Sequence, residues 1–294
     1  METFQREMNH NRDEFRRTRW TKHREQVTGL FDAVFLKKGL VDNVAIFGAG
    51  NCDDLDLDRL ATKCNSIYLF DIDIESMKKG TKHFSESTRN KIKLIEFDVT
   101  GLNKIDFEHK LSFLLKRGEK ADDIVRFLKD TENQLGQIAD GVFADYSNHF
   151  DIVATSAIYT QLFYNWAIDT LSEYEHQYEK EELEKFKDGF LDLRDQIVLT
   201  LHHSISKCCV ENGFYITWSD ILKIEPEYMD TFNKGLNAIF ALASNVGYGA
   251  SLIGIKDFME KVDKSELSLR YWPWDFKENK QYLTMGLIGR FQQI

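Results

Sequence analysis

Val44-Ala45-Ile46-Phe47-Gly48-Ala49-Gly50-Asn51-Cys52-Asp53-Asp54-Leu55-Asp56-Leu57-Asp58-Arg59-Leu60 is the stretch on which the reading of the chain turns. Four apolar residues in a row read as a buried strand, and Gly48-Ala49-Gly50 ends it with a turn in which the backbone can bend sharply and approach a ligand. Asp53, Asp54 and Asp56 favour a helix start just after through capping and the helix dipole, with Leu55, Leu57, Leu60 and Ala61 as its apolar side. Strand, glycine turn and helix in this order expose backbone N–H groups at the mouth of a parallel sheet, where α/β proteins bind nucleotide-like ligands.

Three further strands extend the pattern. Ser66-Ile67-Tyr68-Leu69-Phe70-Asp71 ends in a carboxylate about twenty residues after the glycines, the place of a ribose-binding acid in a doubly wound domain. Ile92 to Asp98 also ends in Asp, and Phe150 to Ser156 ends in the small hydroxyl residues Thr155 and Ser156. Four strand ends then line one edge of a sheet.

On these residues the chain resembles the class I S-adenosylmethionine-dependent methyltransferases, over roughly residues 42 to 224 and more weakly at the C-terminus. The resemblance implies a doubly wound, mostly parallel seven-stranded sheet of Rossmann-like type. It implies Gly48, Ala49 and Gly50 under the methionine part of the cofactor S-adenosylmethionine, Asp71 with Ile72 at the ribose hydroxyls, and Asp98 with Val99 at the adenine. Thr155 and Ser156 would lie beside the methyl group. Two positions depart from the family pattern: Ile46 stands where an acid is usual, and Cys52 where a third glycine is usual.

A dinucleotide dehydrogenase requires G-x-G-x-x-G, and the last position here is Asp53, whose charge would repel a pyrophosphate. Asp71-Ile72-Asp73 also suits metal-dependent phosphatases and glycosyltransferases, but Glu75 stands where the phosphatase motif has Thr or Val.

The chain has 294 residues, 43% hydrophobic and 29% charged, enough for one large domain with additions. Its net charge of −10 opposes non-specific attraction to nucleic-acid phosphates. No apolar run approaches the length of a membrane span and Met1 to Glu25 has no apolar signal core, so a cytoplasmic protein with neither nucleic-acid nor membrane partners is expected. Cys52, Cys64, Cys208 and Cys209 lack metal-ligand spacing and read as free thiols, and no metal is expected.

Residues 1–38 read as a helical N-terminal extension, with Phe4, Met8, Phe15, Val27, Leu30, Phe31 and Val34 near helical spacing; its basic residues form a solvated face or, from the resemblance, a lid over the cofactor. Residues 39–294 make the main domain, with an insertion at about 102–148 read as two short helices, long enough to shape a substrate site. Tyr159 and Gln161 begin a helix after the fourth strand and are candidate substrate residues. A long charged helix from Tyr174 to Val210 carries His202-His203, read as structural. A fifth strand covers Gly213 to Asp220, residues 227–262 read as mostly helical, and Arg270–Phe276 and Gln281–Phe291 pair through Lys277-Glu278-Asn279-Lys280. Trp272 and Trp274 point to one side of that hairpin, as core or as an aromatic substrate wall, and Pro273 argues for an edge or bulge.

The function implied is methyl transfer to a small molecule or a protein side chain. The alternative is a non-catalytic binding or regulatory module that has kept the fold. Asp145, Tyr146, His149 and Tyr159 have side chains capable of acid or base chemistry, but no catalytic residue is fixed by the sequence.

Overall fold

The computed structural model describes Arg6 and residues 15–291, so the expectations for Phe4 and Met8 lie outside the described residues. Seven strands form one sheet: β1 (Val41–Phe47), β2 (Cys64–Asp71), β3 (Ile92–Glu96), β4 (Phe150–Ser156), β5 (Cys209–Lys223), β6 (Ser268–Lys277) and β7 (Lys280–Arg290). Their spatial order is β3-β2-β1-β4-β5-β7-β6. The first five are parallel; β7 runs antiparallel between β5 and β6. The order reverses between β1 and β4, and at such a switch point the carboxyl ends of the strands open a crevice.

Both faces of the sheet are covered, which is why the central strands read as continuous apolar runs rather than alternations. Successive residues of β1 go to opposite sides. Val44 and Ile46 pack with Leu30, Phe31, Leu57, Leu69 and Trp218, whereas Ala45 and Phe47 pack with Phe70, Phe150, Val198, Tyr215 and Phe258. The first side is covered largely by the helix Thr21–Lys38, which buries Val27, Leu30, Phe31 and Val34. The second takes the long helix Lys180–Cys208 and the helices Leu236–Asn245 and Gly249–Lys261.

The insertion departs from the sequence expectation. It holds one ten-residue helix, Phe107–Lys116, and one of 23 residues, Ala121–Phe143, which packs along Lys180–Cys208. Leu102, Phe107, Leu111, Ile124, Phe163, Phe186 and Phe190 give this flank a third apolar core of its own. The long helix starts six residues later than expected, at Lys180, because Glu179 and Glu182 close a capping box there. The C-terminal hairpin turns more tightly than expected, on Glu278 and Asn279 with Asn279 left-handed. Pro273 lies in β6, the edge strand, where its missing N–H costs no ladder bond on the open side. All four cysteines are free and buried, and no helix among the described residues is long and apolar enough to cross a membrane.

Candidate cofactor site and a second cavity

A cavity opens at the carboxyl ends of β1, β2, β3 and β4. It is lined by Gly48, Ala49, Gly50, Asp71, Ile72, Asp98, Val99, Ser156, Gln161 and Trp274 among the residues singled out from sequence. Gly48 and Gly50 have φ of +79° and +48°, the left-handed region that glycine enters without penalty. The turn is also held too tightly for side chains. A Cβ on Gly48 would overlap Ile158 Cγ2, and one on Gly80, in the helix Ile74–Thr81, would overlap the carbonyl of Asn51.

Asp71 closes the floor. Its Oδ2 accepts the Gly50 amide at 2.8 Å and its Oδ1 the Asp73 amide at 2.9 Å. Burial pushes this carboxyl up to about 6 against the pull of those two hydrogen bonds. A carboxylate offers about four lone-pair sites, so accepting capacity remains for a further donor. Asp98 lies past the end of β3, which stops at Glu96 rather than continuing to Asp98 as expected. Its carboxylate caps its own loop, accepting from Thr100 N at 2.9 Å, Thr100 Oγ1 at 2.6 Å and Asn103 N at 3.1 Å.

The acid run after the glycines behaves differently from its sequence reading. The helix expected directly after the turn begins at Leu57, is only five residues long, and takes Asp56 as its N-cap. Asp53 and Asp54 are thereby left in the cavity wall. Asp54 is buried and accepts Ser156 Oγ at 2.8 Å and Trp218 Nε1 at 3.1 Å. Burial raises its pKa despite those bonds. Ile46, the residue in place of an acid on the strand, is fully buried in the apolar core. The carboxylate at this end of the cavity comes from the turn, a role the run's resemblance to a helix start concealed.

The N-terminal extension closes the mouth. Arg16 Nε meets Asp53 Oδ2 at 2.9 Å and its guanidinium lies 4.5 Å from the Trp20 ring centre. Arg24 donates to the Asp53 carbonyl at 2.7 Å, and Arg17 to that of Cys52 at 3.3 Å. Arg16 and Trp20 both line the cavity, and Trp20 packs edge-on to Trp274 at 4.7 Å.

Three residues expected at the site are not among those that line this cavity. Thr155 points to the opposite sheet face from Ser156, because neighbouring strand residues alternate. It joins a buried cluster with Thr217 Oγ1 at 2.7 Å, Tyr159 Oη at 3.2 Å and Tyr215 Oη at 3.2 Å. The Tyr159 hydroxyl is turned inward to His202 Nε2 at 2.7 Å, and His202 Nδ1 meets Asp257 Oδ2 at 2.8 Å. Tyr159 begins a short 3-10 turn, Tyr159–Gln161, and the next helix starts only at Tyr164. Trp272 does share its side with Trp274, but it is packed away from the mouth, its indole N–H donating to His23 Nδ1 at 3.0 Å. Asp145, Tyr146 and His149 precede β4 and are not among the residues that line the cavity: Tyr146 packs on Phe70 and Phe150, and His149 bonds Tyr68 Oη at 3.0 Å.

A second cavity, about 380 Å³, adjoins the first and shares Gln161, Trp274 and Phe276 with it. Tyr159 lines it, alongside Tyr164, Tyr248, Tyr282, Arg194 and Asp220.

No family model matches the chain, and no curated protein matches it. Solved structures do resemble it. They include the N-methyltransferase NodS from Bradyrhizobium japonicum WM9, in complex with S-adenosyl-L-homocysteine, at 12% identity over 92% of this chain and 87% of that one, with a TM-score of 0.44. An rRNA methylase from Streptococcus thermophilus matches at 9% identity over 89% and 95%, with a TM-score of 0.37. What decides the fold is the sheet: order β3-β2-β1-β4-β5-β7-β6, with β7 antiparallel and a glycine turn at the switch point. The chain has the class I methyltransferase fold. Within that fold the glycine turn, Asp71 and the Asp98 loop stand at the carboxyl ends of β1, β2 and β3 and converge on one cavity.

Proposed function

We propose that the protein is an S-adenosylmethionine-dependent methyltransferase acting on a small molecule or protein side chain. The observation that carries the reading is the Asp71 carboxylate, fixed by the Gly50 amide in the same cavity as Asp98 and Val99. The donor set suits the ligand from end to end. Asp71 keeps accepting capacity for a ribose hydroxyl, the glycine turn leaves room for close approach, and Asp54 offers a carboxylate to an ammonium at the methionine end. Asp98 has spent most of its accepting capacity on its own loop, so it contributes chiefly by shaping the adenine end.

S-adenosylmethionine would supply a methyl group on a sulfonium, and the transfer is a displacement whose rate comes largely from placing the acceptor in line. The chain's own work is then to bind, orient and exclude water. The cavity encloses about 160 Å³, below the roughly 300–1,000 Å³ of small-molecule sites, with Arg16 and Trp20 seated at its mouth. The N-terminal segment in this reading is a lid that shifts outward when a ligand enters. The net charge of −10 argues against a nucleic-acid acceptor.

Isothermal calorimetry with S-adenosylhomocysteine tests the reading, followed by a screen of acceptors for release of that product from S-adenosylmethionine. Binding without turnover on any acceptor would favour the binding-module alternative.

A further inference from the structure

The second cavity has a chemistry of its own. Four tyrosines, Trp274 and Phe276 line it, and its most buried charge is Asp220, on β5 two residues beyond Trp218. Asp220 is 8% exposed, and the only side-chain hydrogen bond to its carboxylate among the described residues comes from Thr160 Oγ1, at the 3.5 Å limit. Beyond that bond the carboxylate has its own backbone amide and the charge of Lys280, which leaves accepting capacity for a donor that arrives from outside. The other charges leave that role to Asp220. Arg194 is engaged by Asp195, with Nε to Oδ1 at 2.7 Å, and its guanidinium lies 5.4 Å from the Tyr164 ring centre. Lys280 lies over the Phe276 and Tyr282 rings, 5.6 and 5.2 Å from their centres. Those two ring faces are therefore taken by a cation of the chain itself.

We propose that this cavity is the methyl-acceptor site and that it takes a small primary amine on an aromatic body, with Asp220 accepting the amine's N–H hydrogens. An anionic acceptor would meet the buried Asp220 charge, and a neutral alcohol would offer the carboxylate one hydrogen bond but no charge to balance it. The inference rests on the cofactor reading, because the wall shared through Gln161, Trp274 and Phe276 is what brings the two ligands together. In the step, the bound ammonium first gives one proton to Asp220 and on to water, and the nitrogen lone pair so freed forms the new C–N bond as the methyl carbon–sulfur bond breaks. That bond's electron pair leaves with sulfur as the neutral thioether. The N-methylammonium so formed leaves as the product. Burial pushes the Asp220 carboxyl up to about 6, so it is ionised and able to accept near neutral pH.

The test pairs probes of equal shape on the full-length protein saturated with S-adenosylhomocysteine. Tyramine, phenethylamine and benzylamine are titrated calorimetrically beside tyrosol, phenethyl alcohol and benzyl alcohol, and then on Asp220→Asn. At least one amine is expected to bind tenfold or more tightly than its alcohol, and Asp220→Asn to erase that preference while S-adenosylhomocysteine affinity stays within twofold. With S-adenosylmethionine the preferred amine should leave as its N-methyl product. Alcohols binding as well as amines, Asp220→Asn keeping the preference, or no amine binding to the loaded protein would each overturn the proposal. Failure of S-adenosylhomocysteine itself to bind would strike the cofactor reading instead, and its normal binding to Asp220→Asn certifies that the variant is folded.

Discussion

Ser156 and Thr155 are neighbours on β4, yet they belong to two polar clusters with opposite properties. Ser156 faces the cavity with Asp54 and Trp218; Thr155 faces a closed interior with Tyr159, Tyr215, Thr217, His202 and Asp257. The cross-strand register repeats the division, pairing Ser156 with Trp218 and Thr155 with Thr217. Burial alone would raise Asp257, but hydrogen bonds and charge from His202 and Lys261 hold it below its ordinary value. Asp54 has only neutral side-chain donors and is raised. The difference teaches where function and stability are divided. The interior cluster satisfies its members among themselves, whereas the mouth cluster holds a carboxylate at a cost that a ligand can offset.

The sharpest way to break this division is His202→Ala. Removing the imidazole strips a partner from both Tyr159 and Asp257 and leaves a void, so urea unfolding should show a loss of about 2–4 kcal/mol. S-adenosylhomocysteine affinity of the folded variant should stay within twofold. A tenfold loss of affinity with unchanged stability would place His202 in the site instead.

The mouth side should respond to pH through Asp71. A carboxyl at about 6 in the free protein is some nine-tenths ionised at pH 7 and about one-tenth at pH 5, so affinity should fall about tenfold between them. Calorimetry across that range in wild type and Asp71→Asn checks it: the variant should bind weakly at both pH values, with little slope.

The two carboxylates should also tilt stability in opposite directions. A raised Asp54 means that the folded state binds its proton more tightly, so its contribution is present below about 3.8 and is lost as pH rises through the folded value. A lowered Asp257 contributes fully above about 3.8 and loses that contribution as pH falls through its folded value. Unfolding curves should therefore flatten on the higher-pH limb in Asp54→Asn and on the acid limb in Asp257→Asn. Identical profiles would erase the contrast.

The smallest effect is expected at the N-terminal extension. Arg16→Ala removes an ion pair whose Arg16 side is 15% exposed and whose Asp53 side is buried, so part of any stability loss comes from leaving Asp53 without this partner. Stopped-flow binding of S-adenosylhomocysteine should show association faster by about two- to fivefold; an unchanged rate would leave the extension as a fixed wall.

Much of this was legible in the chain. The apolar runs of β1, β2 and β4 and the glycines between β1 and the next helix announce a parallel sheet, because strands buried on both faces admit few other residues. Asp71 could be placed by its position at a strand end. Which side a strand-end residue faces was not legible, since Thr155 and Ser156 are alike in chemistry and only the β4–β5 register separates them. Asp54 was hidden because an acid before a short helix reads equally as a cap, and Arg16, Trp20 and Asp220 because their roles depend on segments far apart in sequence. Phe107 and Phe190 could be read as apolar helix residues, but not as partners across the insertion.

The central claim is that Asp71 anchors a nucleoside at this mouth, and calorimetric titration of S-adenosylhomocysteine into wild type and Asp71→Ala at pH 7.5 tests it most directly. Loss of a charge-assisted acceptor of a ribose hydroxyl costs about 2–3 kcal/mol. The account predicts one-to-one binding to wild type and affinity tens to a hundredfold weaker in a variant whose unfolding transition remains cooperative. No binding to wild type, or equal affinity in both proteins, would contradict it.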